Sequence, residues 1–362
     1  ARVEGLVRAA ACTQPDAGAL PGRGEHAPGS RHPDGGAFGA DGGGEPARGP
    51  RFNGPGFDRP VAHDGYAWWY VDALSDDGRH GITLIGFIGS VFSPYYALAR
   101  RRGVGDPLHH SALNVALYGK GGKRWALTER GRAAVHRDAT SLAIGPSSLV
   151  WDGSALTVRI DEVTAPLPSR VRGTVRLYPE AVTNHRLTLD GQGLHRWWPI
   201  APCARVEVEL ERPSLSWSGA GYLDTNDGDA PLERAFTTWD WSRAPLRRGT
   251  AVLYEARYRD GGGRMIAIRC DPSGKVEGFD PPPPAELPRS LWRVARATRA
   301  DDGRVPSVIE RLEDSPFYAR SVLRTRLLGE PVTAVHESLS LERFTAPWVQ
   351  LMIPFRMPRA WR

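Results

Sequence analysis

Acidic and aromatic side chains cluster in four short stretches, and these are the residues with which the chain could do chemistry. The stretches are Tyr66-Ala-Trp-Trp-Tyr-Val-Asp72, His195-Arg-Trp-Trp198, Gly219-Ala-Gly-Tyr-Leu-Asp-Thr-Asn-Asp-Gly228 and Phe236-Thr-Thr-Trp-Asp-Trp241. Such a set could hold an apolar ligand without reaction, or cleave a sugar between paired carboxylates such as Asp224 and Glu233. For a single aromatic residue the ordinary role is core packing, and for Asp224 it is capping a turn beside Gly228.

Signatures of cofactor and metal chemistry are absent from the sequence. There is no G-x-G-x-x-G, Walker A, H-E-x-x-H or G-x-S-x-G pattern. The segment Asp224–Asp229 resembles a calcium loop, but its glycine comes one place early and its twelfth position is Ala235. His109 and His110 adjoin a predicted strand, where neighbours point to opposite faces. The residues themselves thus offer no obvious cofactor cradle and no clear metal site.

Composition and charge restrict the partners. The chain has 362 residues and a formal net charge of +6, but its basic residues are scattered and form no block of five. Such scattered basic residues do not form the basic patch that is typical of nucleic-acid-binding proteins. Cys12, Cys203 and Cys270 are odd in number and far apart, which fits a reducing compartment. No run of 18 apolar residues is present, so no membrane-spanning helix is predicted.

The elements that must position these residues are strands. Residues 1–56 contain 21 Gly or Pro and are predicted to be a disordered leader. From Tyr66 the pattern has period two, so residues 66, 68, 70 and 72 share one face, and turn signals recur every 8–12 residues. One short helix is predicted between Ser93 and Gly103. The prediction is an all-β, mainly antiparallel fold with few short helices.

A second composition break falls at residues 212–235, which are rich in Gly, Asp and Pro. We interpret it as a boundary between two β-rich domains, 57–230 and 231–362. No short internal repeat relates the two halves.

Long, unusual strings of the chain closely resemble the carotenoid 1,2-hydratase, or hydroxyneurosporene synthase, family of bacterial carotenoid synthesis. The resemblance runs from about Phe57 to the C-terminus. Among the strings that carry it are Gly56-Phe-Asp-Arg-Pro60, Tyr66-Ala-Trp-Trp-Tyr-Val-Asp72, Ala112-Leu-Asn-Val-Ala-Leu-Tyr118, Gly221-Tyr-Leu-Asp-Thr-Asn226 and Phe236-Thr-Thr-Trp-Asp-Trp-Ser-Arg243.

The resemblance implies a fold and an activity. It implies two lipocalin-like β-barrel domains, the N-terminal one carrying the catalytic acid. It implies a lyase that hydrates the terminal C1=C2 bond of acyclic carotenes such as neurosporene and lycopene, without cofactor or metal. The family's acid falls on Asp224, and its associated functional positions fall on Tyr222 and Trp197.

These residue types suit that reaction. An alkene is a weak base, so its protonation needs a carboxylic acid that stays neutral, and an apolar pocket raises a carboxyl pKa. Aromatic faces can then hold the carbocation. Trp197 is a further candidate for the wall of this pocket, and Trp239, Trp241, Trp68 and Tyr70 are predicted to bind substrate. Tyr222 shares a face with Asp224 and could orient it, position water or flank the cation.

The substrate also predicts a location. Acyclic carotenes reside in the bilayer, so we expect a cytoplasmic protein in peripheral contact with lipid of the inner, photosynthetic membrane, and no protein partner is predicted. Arg100-Arg101-Arg102, at the end of the predicted helix, is one candidate contact, although these residues also suit a solvated helix end. A lipocalin-like carrier of carotenoid or isoprenoid remains the main alternative, because the same pocket would serve it.

Overall fold

The structure is a computed structural model that describes residues 54–119 and 121–360. Almost all of the predicted leader, 1–56, lies outside the described residues. Every pairing between the described strands is antiparallel. The all-β, mainly antiparallel prediction is therefore confirmed.

The strands form two large sheets and one small sheet. Those of the first large sheet are β1 (Tyr66–Ser75), β2 (His80–Ile88), β3 (Ser111–Gly119), β4 (Arg124–Leu127), β5 (Val135–Arg137), β6 (Ser141–Ile144), β7 (Ser147–Trp151), β8 (Leu156–Val163), β9 (Arg170–Pro179), β10 (Leu187–Thr188), β11 (His195–Arg212) and β12 (Leu215–Gly228). The others are β13 (Phe236–Leu246), β14 (Gly249–Tyr258), β15 (Gly263–Cys270), β16 (Val276–Gly278), β17 (Pro284–Leu287), β18 (Arg296–Arg299), β19 (Ser307–Asp314), β20 (Tyr318–Leu327) and β21 (Glu330–Ser340).

Helices are few and short, as predicted. They are α1 (Pro94–Arg101), α2 (Leu232–Ala235), α3 (Leu341–Phe344) and α4 (Pro347–Met352), with 3₁₀ turns at Pro107–His109, Arg132–Ala134 and Ile353–Phe355. The predicted helix is α1. The Ser93 hydroxyl caps it by accepting the backbone N–H groups of Tyr95 and Tyr96, and Gly103 follows it with φ +71°.

The first sheet has the order β4-β3-β2-β1-β12-β11-β9-β8-β7-β6-β5, with β10 paired to β11. It curls so that one face of β1–β3 meets β6–β9. Val71, Leu84, Leu149 and Val175 are all buried in the resulting aliphatic core. This interior is filled by side chains, as in a small barrel.

The second sheet has the order β16-β15-β14-β13-β21-β20-β19, and β17 pairs with β18 separately. One face of its central strands packs against the first sheet. Alternation along β1 explains the contact: Trp69 and Val71 enter the aliphatic core, whereas Tyr66, Trp68 and Tyr70 join an aromatic cluster shared with the second sheet. The predicted shared face of β1 is confirmed, and it points between the sheets.

The segment 212–235, in which the sequence predicts a domain boundary, is not an open linker. Most of this segment is β12, which pairs with both β1 and β11 at the centre of the first sheet. Its glycines allow close approach: a Cβ on Gly219 would lie 1.9 Å from the Leu74 carbonyl oxygen, and one on Gly228 would lie 2.5 Å from the Tyr66 ring. The division into domains 57–230 and 231–362 stays a prediction.

Candidate active site

Asp224 lies in the middle of β12, directly opposite Tyr70 on β1. Alternation along the strand puts Tyr222, Asp224 and Asn226 on the face toward the second sheet, while Leu223 enters the aliphatic core. The Asp224 side chain is deeply buried, with 4% of the residue exposed. No basic side chain hydrogen-bonds to it among the described residues.

Two donors converge on one oxygen of this carboxyl. The Trp197 indole N–H donates to Asp224 Oδ2 at 2.8 Å, and the Tyr222 hydroxyl donates to the same oxygen at 2.9 Å. An indole N–H can only donate, so Oδ2 must be an acceptor. Because Oδ2 already accepts both bonds, the proton of the neutral acid belongs on Oδ1.

Burial raises the pKa of Asp224 to about 8, and the bonds from Trp197 and Tyr222 act in the opposite direction. Glu337 and Asp72 add a smaller electrostatic increase. The carboxyl therefore keeps its proton to a much higher pH than an ordinary aspartic acid does.

A cavity of about 490 Å³ opens between the two sheets in front of Asp224. All four residues predicted to bind substrate line it: Trp68, Tyr70, Trp239 and Trp241. Further apolar wall residues include Ile85, Phe87, Phe92, Trp125, Leu127, Leu232, Tyr254, Phe317 and Leu339. The volume is typical of small-molecule sites.

Trp197 and Tyr222 lie behind Asp224 rather than on the cavity wall. Both are fully buried, and neither contributes to the cavity lining. The Trp197 ring packs 5.0 Å from that of Tyr254, and the Tyr222 ring packs 5.3 Å from that of Trp241. Each of the two side chains contacts Asp224 through the hydrogen bond that it donates.

Sequence reasoning missed Glu337 of β21, whose carboxyl also lies on the cavity wall. The Tyr70 hydroxyl donates to Glu337 Oε1 at 2.7 Å, and Arg320 forms an ion pair with it. Glu337 also pairs across the sheet with Trp241. In the sequence it is one acid in an ordinary alternating strand, and only the strand pairing reveals its position.

Other residues singled out from the sequence lie outside this cavity. Glu233, the suggested partner of Asp224 in sugar cleavage, forms an ion pair with Arg100 at 2.7 Å and does not line the cavity. Of the three arginines considered as a candidate lipid contact, Arg101 and Arg102 are exposed, whereas Arg100 is only 5% exposed and is not available to lipid. Its guanidinium lies over the Tyr96 ring instead.

Two of the three acids in the calcium-like segment Asp224–Asp229 form ion pairs. Asp227 pairs with Arg59 and Arg196, and Asp229 pairs with Arg196. His110 contacts Glu129 at 2.9 Å. Residues 54–119 and 121–360 contain no group of three or more His, Cys, Asp or Glu side chains placed to hold a metal ion.

The fold resembles solved structures of low sequence identity. An AttH protein from Nitrosomonas europaea superposes with a TM-score of 0.54 at 17% identity, covering 82% of this chain and 98% of that one. CghA in complex with Sch210972 superposes with a TM-score of 0.52 at 12% identity, covering 76% of this chain and 88% of that one. These likenesses support the β fold alone.

Sequence relatives are much closer. The chain is 58% identical to an acyclic carotenoid 1,2-hydratase of Thiocapsa roseopersicina, over 99% of this chain and 87% of the relative. It is 53% identical to the acyclic carotenoid 1,2-hydratase of Rubrivivax gelatinosus, over 84% and 76%. The family model of the carotenoid hydratase CrtC matches residues 84–362. The chain belongs to the carotenoid hydratase family.

Proposed function

We propose that this chain is a hydro-lyase that adds water to the terminal C1=C2 bond of acyclic carotenes, giving 1-hydroxy carotenoids. Membership of the family and the names of the close relatives support this substrate class and reaction. The observation that carries the chemistry is a buried Asp224 carboxyl, without a basic partner among the described residues, that faces an aromatic cavity. Turnover separates this proposal from a carrier, which would return lycopene unchanged.

In the proposed first step, the alkene π electrons take the proton from Asp224 Oδ1 and form the new C2–H bond. The positive charge then lies on the tertiary C1, and the negative charge on the Asp224 carboxylate. The bonds from Trp197 and Tyr222 to Oδ2 strengthen as that charge develops, because hydrogen bonds to an ionised acceptor are stronger.

The cavity walls stabilise the cation. Trp68, Tyr70, Trp239 and Trp241 present aromatic rings to the same cavity. A cation over such a face gains about 0.5–2 kcal/mol, the higher figure applying when water is excluded. Aromatic carbon is also a safer neighbour for a carbocation than a strong nucleophile. Water then adds at C1, so the proposed route uses neither metal nor cofactor.

The pKa of Asp224 predicts the pH dependence of the reaction. The carboxyl is protonated below pH about 8 and ionised above it, so the turnover rate should hold near pH 7 and then fall about tenfold per pH unit. The same raised pKa makes the fold lose stability as the pH rises toward 8. Unfolding is therefore followed in the same buffers, and a rate that holds at pH 9.5 would contradict the assignment.

The two donors behind Asp224 should affect both the rate and the pH profile. Tyr222→Phe and Trp197→Phe each remove one hydrogen bond to a developing charge, at about 1.5–3 kcal/mol, so turnover should fall about 10- to 100-fold. Because these bonds lower the pKa of Asp224, the falling limb of the profile should move to higher pH.

A control for this shift is Tyr254→Phe. The Tyr254 hydroxyl accepts from Asn226 at 3.0 Å and makes no bond to Asp224. The Tyr254→Phe variant should therefore lose activity over the same pH range as wild type. If Tyr222→Phe and Trp197→Phe also lose activity over the wild-type pH range, Tyr222 and Trp197 do not act through the pKa of Asp224.

The proposed setting is peripheral contact with the membrane in which the carotene is dissolved, at the cytoplasmic face of the inner, photosynthetic membrane. Within the described part of the chain, no helix is long and apolar enough to cross a membrane. An extended acyclic carotene is about as long as the hydrocarbon core of a bilayer, roughly 30 Å. The cavity is proposed to take up an end group while the rest of the chain extends through the mouth.

A further inference from the structure

Exposed apolar side chains gather at the mouth of the cavity. Of the fifteen exposed large hydrophobic residues within 54–119 and 121–360, six lie in two short segments, 288–294 and 343–360: Leu291, Trp292, Trp348, Leu351, Met352 and Phe355. Leu291, Leu351 and Phe355 are more than 70% exposed. Three of the six, Trp292, Met352 and Phe355, also line the cavity, so the apolar surface is continuous with the cavity wall.

Contacts hold these segments together as one face. The rings of Trp292 and Trp348 stack with their centroids 6.3 Å apart. The backbone N–H of Leu291 donates to Asp314 Oδ2 at 2.6 Å, at the end of β19. Arg343 lies 5.8 Å from the Trp348 ring centroid. We call residues 288–294 and 343–360 the mouth face.

Basic residues predominate on the mouth face, while exposed Glu342 adjoins it and Glu313 and Asp314 line the cavity. The two segments of the mouth face contain five arginines and no Asp or Glu. Arg356 and Arg359 pair with Glu313 and Glu129 outside the face. The other three, Arg289, Arg293 and Arg343, have no ion pair among the described residues.

Exposed tryptophan, leucine and phenylalanine flanked by arginine match the interface of an anionic bilayer, where rings lie at headgroup level and guanidinium groups meet lipid phosphate. We infer that the mouth face docks on an anionic membrane surface, so that the cavity opens toward the acyl chains. This inference rests on the proposed function, because a substrate dissolved in lipid would enter the cavity through the mouth face.

Vesicle flotation tests the docking face. Wild type, Leu351→Asp and Leu291→Asp are floated with vesicles of phosphatidylcholine and phosphatidylglycerol, and hydration of lycopene is measured in these vesicles and in detergent micelles. Neither leucine lines the cavity. Each variant should lose about tenfold in vesicle binding and vesicle activity, with micelle activity within twofold of wild type.

Val305→Asp is the matched control. Val305 is 89% exposed and precedes β19, whose other end lies at the mouth. It should bind vesicles as wild type does. Unchanged vesicle binding by both leucine variants, or an equal loss in Val305→Asp, would overturn the docking face. So would a wild type that does not bind the vesicles and instead self-associates in a way that the leucine variants abolish. A wild type that binds vesicles but hydrates no lycopene in micelles would instead overturn the proposed function.

Glu337 faces the same cavity as Asp224. Tyr70 lies opposite Asp224 on the neighbouring strand, and its hydroxyl reaches Glu337 on the other sheet. Asp224 and Glu337 thus face one cavity, with the Tyr70 side chain between them. Asp224 has no basic partner among the described residues, whereas Glu337 is ion-paired with Arg320. Such unlike environments are typical of an acid and a base acting in one reaction.

We propose that Glu337 is the base that takes the proton of the attacking water. The water oxygen forms the C1–O bond with a lone pair, and one of its O–H bonds breaks to protonate the Glu337 carboxylate. Asp224 has already lost its proton to C2. Glu337 then releases its proton to solvent and Asp224 regains one from solvent, so one water is consumed per double bond.

Deuterium exchange tests this base separately from the acid. In heavy water, a cation that is not captured by water returns to alkene and can carry deuterium into recovered lycopene. Glu337→Gln should raise the ratio of exchange to hydration about tenfold, and Glu337→Asp should restore it in part. Glu313→Gln is the control, because Glu313 also lines the cavity and pairs with an arginine.

An exchange ratio in Glu337→Gln equal to that of wild type would overturn the base assignment. An equal rise in Glu313→Gln would overturn it as well, because the effect would then follow the loss of any cavity carboxylate. A wild type that neither hydrates nor exchanges would overturn the proposed function.

Discussion

Replacing Asp224 by asparagine is expected to lower the rate of carotene hydration by about 10²- to 10⁴-fold with little change in stability. The amide has the shape of the neutral acid, and its oxygen can still accept from Trp197 and Tyr222. It has no proton acidic enough for an alkene. The measurement is turnover of lycopene by purified protein, with thermal unfolding recorded for both proteins.

Asp240→Asn is the control for this variant. Burial raises the pKa of Asp240 to about 7, but the side chain bonds to Ser338 and does not line the cavity. It should retain the wild-type rate and the falling limb near pH 8. Hydration at the wild-type rate by Asp224→Asn would show that the acid lies elsewhere.

The largest expected effect on stability comes from Asp72→Asn, at about 3–5 kcal/mol in the free energy of unfolding. Asp72 is fully buried and forms ion pairs with Arg243 and Arg320, whose side chains are each 1% exposed. Burial alone would raise the pKa of Asp72, but the two guanidinium groups hold it below its usual value. Without the carboxylate, Arg243 has no other ion pair among the described residues.

This cluster joins the two sheets, since Asp72 lies on β1, Arg243 on β13 and Arg320 on β20. Its loss should therefore loosen the interface that forms the cavity. Urea unfolding measures the effect, and Asp161→Asn is the control, because Asp161 pairs with a half-exposed Arg170 and such pairs are worth about 0–1 kcal/mol. An unfolding free energy for Asp72→Asn within 1 kcal/mol of wild type would contradict the bridging role.

Local pattern predicted the faces of single strands well. Period two along Tyr66–Asp72 placed the even residues together, and the same rule placed Tyr222 beside Asp224, as the structure shows. Each prediction needed only the alternation of a strand, which neighbouring residues determine. The resemblance to the hydratase family supplied the chemistry, which alternation cannot.

Longer-range features could not be predicted from the sequence, because they depend on which strands pair. The glycines of β12 contribute to the composition break in the sequence, yet in the fold they allow the close approach of Leu74 and Tyr66 on a neighbouring strand. Trp197 was expected on the cavity wall, but pairing of β11 with β12 places it behind Asp224. Glu337 reaches the cavity only because the second sheet packs across β1.

The central claim is that water adds across C1=C2 through a protonated Asp224. The most direct measurement is the mass and label position of the product formed by purified protein from lycopene in water enriched in both deuterium and oxygen-18. Each hydrated end should carry one oxygen-18 at C1 and one deuterium at C2, and Asp224→Asn should lose both labels together. Product with unlabelled oxygen, or without deuterium at C2, would contradict the claim.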